Sequence, residues 1–223
     1  MELPTQVVKS NTVNPSLLTI FGQSKAGKTT MLSKLEGCLI IDTERGSKYI
    51  DALKVEVSNT SDLKQLVGAL KAEPNKYNYI ALDTIDNVVS WIEKDIAREN
   101  NLDSFAKLPF GDGYNQVRTR VMGLIDALLT CSEHIILVGH RKKTIIGTDS
   151  VEVNVSSLDL SGKLKNYIMA KSDAIGFVYR NDENILSISF EASDEVEAGT
   201  RLPHLAGKIM DFKWKDIYKT SIK

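Results

Sequence analysis

Cysteine is nearly absent from this chain, charge of neither sign is in excess, and no long apolar run occurs. Each shortage removes a class of protein. The two cysteines among 223 residues, Cys38 and Cys131, stand beside apolar runs and have no partners at metal-ligand spacing. Both read as buried free thiols of the kind a reducing cytoplasm keeps, which excludes a cysteine-built metal site. Basic residues number 28 against 29 acidic, so a nucleic-acid partner would be met by a local basic patch rather than by a basic whole. No stretch reaches the roughly 18 apolar residues of a membrane span, and the start lacks the basic-then-apolar profile of a signal peptide. A soluble cytoplasmic protein with no membrane partner is the expectation. There is no internal repeat and no low-complexity segment.

What the chain does carry is concentrated near its start. Gly22-Gln23-Ser24-Lys25-Ala26-Gly27-Lys28-Thr29 fits the phosphate-binding P-loop at every required position. Leu17 to Phe21 reads as a short buried strand before it, and Thr30 to Leu35 as the first turns of a helix after it. Gly22 and Gly27 let the backbone curl so that successive N–H groups point at phosphate oxygens. The helix from Lys28 adds the positive end of its dipole. Lys28 is placed to reach the β- and γ-phosphates and the Thr29 hydroxyl to ligate Mg²⁺, with Gly22 to Thr30 as the nucleotide-binding segment. Four fixed positions match by accident in about one chain in a hundred, and the strand-loop-helix context lowers that further. A nucleoside triphosphate with Mg²⁺ is the expected ligand.

At this length one α/β domain is the simplest organisation, able to bury roughly 70–75% of its unfolded surface. Residues 1–16, polar and carrying Pro4 and Pro15, read as a loosely held lead-in, and 17–223 as the domain. Apolar runs of strand length end in acids at Asp42 and Asp83, and a third ends at His140. Helical periodicity links them: from Ser61-Asp62 through Leu63, Leu66, Val67 and Leu70; from Ile85 to Ile96; and from Val117 to Leu129. This alternation predicts a mainly parallel sheet with helices on both faces. Ala174 to Tyr179 and Ile185 to Phe190 then flank Asn181-Asp182-Glu183-Asn184, the pattern of an antiparallel hairpin.

Ligands of open α/β sheets bind at the carboxyl ends of the strands. Asp83 is there as the second Mg²⁺ anchor, acting through water; it also suits a helix cap, as do Thr84 and Asp86. Many P-loop ATPases of the AAA type carry a catalytic glutamate after this aspartate, where Thr84 stands here. Glu44, just past a strand expected to neighbour the P-loop strand, is the candidate to orient the attacking water. The alternative is a solvated loop acid paired with Arg45. His140 is placed to feel the γ-phosphate and pass its presence to Arg141-Lys142-Lys143, or else is a hydrogen-bonded loop residue beside a solvated basic patch. No guanine-specificity motif follows the third strand, and no arginine-rich lid suits a small-molecule kinase. Leu160-Ser161-Gly162-Lys163 has the look of a transporter-ATPase signature but follows the Asp83 strand instead of preceding it.

The ordered set Gly22–Thr29, Ile41-Asp42-Thr43-Glu44, Ile80-Ala81-Leu82-Asp83 and Leu137-Val138-Gly139-His140 resembles the RecA-like core. It is closer still to the small phage-encoded P-loop ATPases of recombination and single-strand annealing, over roughly residues 16 to 205. The resemblance implies a RecA-like α/β fold with a C-terminal antiparallel hairpin extension, and ATP hydrolysis coupled to single-stranded DNA. Lys28 and Thr29 match the Walker A pair, Asp83 the Walker B aspartate, Glu44 the water-activating glutamate and His140 the γ-phosphate sensor. Residues 101–113 match a first DNA-binding loop, with Lys107 and with Phe105 and Phe110 either stacking bases or packing the loop down. Residues 141–161 match a second, with Arg141, Lys142 and Lys143. Arg201 matches a basic turn able to reach a neighbour's nucleotide. A homo-oligomer, a single-strand-binding protein as partner and the host cytoplasm as location follow. Ahead of the core the sequence carries only residues 1–16, in place of the domain with which RecA relatives polymerise. A nucleotide-gated adaptor or loader and a P-loop kinase are the rival functions.

Overall fold

Runs such as Leu17–Gly22 are mostly apolar and buried from end to end because the strands they form are covered on both faces. In the computed structural model, which describes residues 3, 5–7, 12–148 and 151–219 (backbone alone for 146–148 and 151–153), the chain alternates strand and helix. In order come β1 (Leu17–Gly22), α1 (Lys28–Leu32), β2 (Cys38–Asp42), β3 (Lys54–Glu56), α2 (Thr60–Ala72), β4 (Tyr79–Asp83), α3 (Ile85–Glu99) and α4 (Asp112–Leu129). Then follow β5 (His134–Thr148), β6 (Val151–Leu158), α5 (Gly162–Lys171), β7 (Ala174–Arg180), β8 (Leu186–Ser189), β9 (Gly199–Thr200), β10 (Ile209–Asp211) and α6 (Trp214–Ile217).

The sheet runs β10-β8-β7-β1-β5-β4-β2-β3, with β6 on β5 and β9 on β7. From β7 to β3 the pairings along this path are parallel, and β8 and β10 join by antiparallel ones. The fold is thus α/β, a mostly parallel sheet flanked by helices, as the P-loop and the alternation predict. One expectation changes: the strand that leads to Glu44, β2, does not neighbour the P-loop strand, since β5 and β4 stand between β1 and β2. The expected C-terminal antiparallel hairpin is formed by β7 and β8, and its first strand, β7, also pairs with β1 from Leu18↔Ala174 to Gly22↔Val178.

Strand period 2 divides the core into two layers. Leu17 and Phe21 of β1 face α2 to α5, among Leu63, Ile92, Ile125 and Ile168. Leu18 and Ile20 face the other way, against Met31 and Leu32 of α1 and Leu205 and Ile217 near the end of the described chain. The lead-in is held where it meets the core. Asn14 and Lys219 exchange side-chain to backbone hydrogen bonds of 2.9 and 2.7 Å, and the Ser16 N–H donates to Asp173 at 2.9 Å. Residues 1, 2, 4 and 8–11 of the lead-in lie outside the described residues.

Candidate active site

The carboxyl ends of β1, β4 and β2, and the end of the parallel half of β5 at His140, share one edge of the sheet. Register sets Gly22 beside His140 and Asp42 beside Asp83. Gly27 adopts φ 111°, in the left-handed region that glycine tolerates. Gly22 is glycine for another reason: a Cβ there would lie 2.3 Å from the Val178 carbonyl oxygen on β7. Lys28 is buried at 6% exposure, and its Nζ donates to the carbonyls of Gly22 (3.1 Å) and Gln23 (3.0 Å). Burial lowers its pKa, opposed by the charges of Asp83, Glu44 and Asp86. Helix α1 has five residues, shorter than the sequence suggests, because β2 begins again at Cys38. The loop N–H groups and Lys28, more than a helix dipole, make this an anion cradle.

The Thr29 hydroxyl donates to Asp83 Oδ2 at 2.7 Å. Burial pushes the Asp83 carboxyl up to about 6, against the Thr29 hydrogen bond. An aligned hydroxyl and carboxylate beside a phosphate cradle fit a hard divalent ion, so Thr29 and Asp83 are the residues that would hold Mg²⁺.

Glu44 reaches this edge from the loop after β2, the strand next to β4. Its loop is ordered by Asp42, which accepts from the N–H groups of Glu44 (2.9 Å) and Ser47 (2.8 Å) and from the Ser47 hydroxyl (2.5 Å). Burial would raise the Asp42 carboxyl, but these hydrogen bonds hold it below its ordinary value. Glu44 Oε1 accepts from the Thr84 hydroxyl at 3.1 Å and lies 3.6 Å from His140 Nε2. Arg45 turns instead to Ser58 at 3.2 Å.

Thr84 occupies the cap position of α3 without a side-chain cap bond, its hydroxyl being given to Glu44. Asp86, read from sequence only as a second possible cap, accepts the His140 N–H at 3.3 Å through Oδ1 and sits 2.6 Å from Nδ1 through Oδ2. A carboxylate only accepts, so Nδ1 carries the proton and Nε2 is turned toward Glu44. Ligand atoms of Glu44, Asp86 and His140 lie within 4.8 Å of one another. Asp86 and Thr43, whose hydroxyl accepts from the Thr84 N–H at 2.8 Å, are site residues that sequence reasoning missed. The signal for Asp86 was its place in the first turn of α3, three residues after Asp83, where it meets His140 of β5.

The polar loop expected over 141–161 is for the most part a β-hairpin. Beyond His140, β5 leaves the parallel sheet and pairs antiparallel with β6 from Arg141↔Leu158 to Thr148↔Val151, with 149–150 outside the described residues. The Asp159 N–H donates to the His140 carbonyl at 2.8 Å, closing the hairpin at its base. The basic triplet is divided between a partly buried arginine and two exposed lysines. Arg141 bonds to Ser156 Oγ at 2.6 Å, lies 5.2 Å from the Phe177 ring centroid and lines the groove beside Ser24 and Lys25. Lys142 and Lys143 are exposed, Lys142 standing 4.0 Å from Asp159. Lys107 pairs with Asp103 at 2.5 Å. Arg201 is far from the P-loop of its own chain: β9 pairs with the opposite end of β7, and the guanidinium donates to the Ala170 carbonyl and lies 3.8 Å from Asp173.

A phosphate cradle, an oxygen pair for a divalent ion, and a carboxylate and an imidazole beyond them define a P-loop nucleotide-binding domain of ATPase type. The chain belongs to the AAA domain family, whose model (AAA_24) matches residues 14–202. No curated protein matches it at a significant level. Among the described residues no helix is long and apolar enough to cross a membrane.

Proposed function

We infer that this protein hydrolyses ATP with Mg²⁺ and binds single-stranded DNA under the control of that nucleotide, in recombination or strand annealing of the phage type. The observation that carries the reading is the placement of His140. It stands beside Gly22 in register, its ring faces Glu44, and its carbonyl closes the hairpin that begins at the next residue. The γ-phosphate end of a nucleotide in the cradle points toward Asp83, Glu44 and His140. Lys28 binds the phosphates, Glu44 orients the attacking water, and His140 relays the γ-phosphate's presence. Bound Mg²⁺ supplies charge neutralisation of the phosphates as bond breaking proceeds.

Support for DNA lies at the same edge. Helix α4 begins, and the chain returns from the hairpin to α5, beside a cleft of about 380 Å³ lined by Phe110, Tyr114, Arg118 and Lys163. Phe110 is fully exposed, Tyr114 and Tyr167 are about half exposed, and the Arg118 guanidinium lies 4.9 Å from the Tyr167 ring centroid. Exposed aromatics interleaved with cations are the chemistry of single-strand stacking. ATPase rate measured with and without an oligonucleotide at low salt tests the reading, low salt because phosphate contacts weaken steeply with ionic strength. DNA is expected to stimulate turnover, and ATP to raise DNA affinity. Turnover indifferent to DNA, together with no ATP-dependent binding, overturns the DNA half and leaves a nucleotide-gated adaptor.

A further inference from the structure

The sheet order dictates which way a nucleotide must lie. Asp83, Glu44 and His140 stand on the β5-β4-β2 side of the P-loop strand, so the γ-phosphate end points there. The nucleoside must then leave on the other side, past Thr30 and toward β7, β8 and β10. A cavity of about 540 Å³ lies in that direction, walled by Gly27, Thr30 and Lys34 of the P-loop segment, Arg180 and Leu186 flanking the β7-β8 turn, and Trp214. Its volume is that of a small-ligand pocket.

The walls are built for a flat heteroaromatic ring joined to a phosphate. Trp214 is locked against α1 by its indole N–H, which donates to the Met31 carbonyl at 2.6 Å, and Phe212 meets it edge-to-face at 4.8 Å. Leu186 continues that apolar wall. Arg180 is on the phosphate side: its Nη1 donates to the Asn184 carbonyl at 2.7 Å, and its Nη2 comes within 3.5 Å of where a Cβ on Gly27 would be. One side of the cavity is thus apolar and aromatic, and the side next to the P-loop is cationic.

We propose that this cavity is the nucleoside subsite, in which a purine base lies along the Leu186–Phe212–Trp214 wall while Arg180 covers the sugar-phosphate junction. The segment after β10, which the P-loop motif does not predict, then carries base recognition. The inference rests on the P-loop binding a nucleoside triphosphate.

The test uses the whole chain with Trp91→Phe, which leaves Trp214 as its only tryptophan, since the sequence has two. Mg-ATP, Mg-CTP and magnesium tripolyphosphate are titrated while Trp214 emission is followed, and their affinities are measured by calorimetry. ATP is expected to change the emission and tripolyphosphate to compete for the site without doing so. CTP should bind several-fold more weakly than ATP. Phe212→Ala should lower ATP affinity by about tenfold, as loss of one aromatic stacking partner does, with tripolyphosphate affinity within about twofold. If ATP and tripolyphosphate bind equally well and neither alters Trp214, the subsite is elsewhere and the P-loop reading stands. If neither binds, the P-loop reading falls and the subsite with it.

Discussion

Asp86 holds His140 at two points, accepting the backbone N–H at 3.3 Å and facing the imidazole Nδ1 at 2.6 Å. The pairing ties the first turn of α3 to the residue at which β5 departs from the parallel sheet. It makes Asp86 a positioning residue: it does not face the phosphates, but it sets which imidazole nitrogen does. Asp86→Ala is expected to lower kcat on the order of ten- to a hundredfold and leave KM for ATP within about twofold. Asp86→Asn, which keeps an acceptor for Nδ1–H, should recover much of the loss. Equal loss in both variants, or a loss expressed in KM, would show that the bond does not orient the ring.

Glu44→Gln separates water activation from binding. The amide retains the acceptor for the Thr84 hydroxyl, which lies 3.1 Å from Oε1, so the loop ordered by Asp42 should keep its shape. Steady-state hydrolysis is expected to fall on the order of a hundredfold or more, with ATP-dependent DNA binding retained or strengthened. Unchanged turnover would assign the base elsewhere.

How far these residues were legible in sequence depends on whether a local or a non-local contact decides them. The strands of β1, β2, β4 and the first half of β5 read as apolar runs because both faces are covered. Their order does not, since β5 and β4 enter between β1 and β2 through long-range pairing. Gly22–Thr29 is legible because the cradle is one short segment. The β5-β6 hairpin is hard to see in sequence: Val151-Glu152-Val153-Asn154-Val155 alternates as a strand does, but the basic triplet next to His140 gives the segment the polarity of a loop. Asp86 and Thr84 looked like helix caps because cap chemistry and site chemistry use the same oxygens. Phe212 comes directly after the short strand β10 and Trp214 two residues later, and nothing local ties them to the P-loop.

Lys28→Ala should abolish nucleotide binding without unfolding the protein. Burial lowers the Lys28 pKa, so its charge is not a source of stability, and its Nζ bonds only the carbonyls of its own loop in the described contacts. ATP affinity is expected to drop by at least about a hundredfold and Tm to stay within about 3 °C of the parent. ATP affinity retained in a folded variant would show the P-loop assignment to be wrong.

Asp83→Asn should exchange metal binding for stability. Burial raises the Asp83 carboxyl from 3.8 to about 6, so its protonated form favours the fold. That contribution is complete below pH 3.8 and is lost as pH rises through about 6. Roughly two pKa units correspond to at most about 3 kcal/mol. The ligand-free variant is expected to be more stable than the parent at pH 8 by about 1–3 kcal/mol, with the gap closing toward pH 4. Urea unfolding at the two pH values measures this, and calorimetry should show Mg²⁺-dependent ATP binding weakened. A variant less stable than the parent at pH 8 would mean that Asp83 is held ionised by partners stronger than its burial.

The two phenylalanines of the 101–113 segment have opposite environments and should behave differently. Phe105 is partly buried, packed on the core with its ring 5.0 Å from Tyr114, edge to face. Phe110 has no such cover and is exposed at 104%. Truncating a packed ring loses burial and leaves a gap, so Phe105→Ala should cost about 2–3 kcal/mol of stability. Phe110→Ala removes a ring that is not packed, and stability should stay within about 0.5 kcal/mol. If Phe110 stacks on a base, the same substitution should weaken binding of an oligonucleotide by about tenfold at fixed salt, with the salt slope unchanged because no phosphate contact is lost. ATP hydrolysis without DNA should not change. Fluorescence anisotropy across a salt series, beside urea unfolding of both variants, reads all of these quantities. DNA affinity indifferent to Phe110 would leave the ring without a nucleic-acid role.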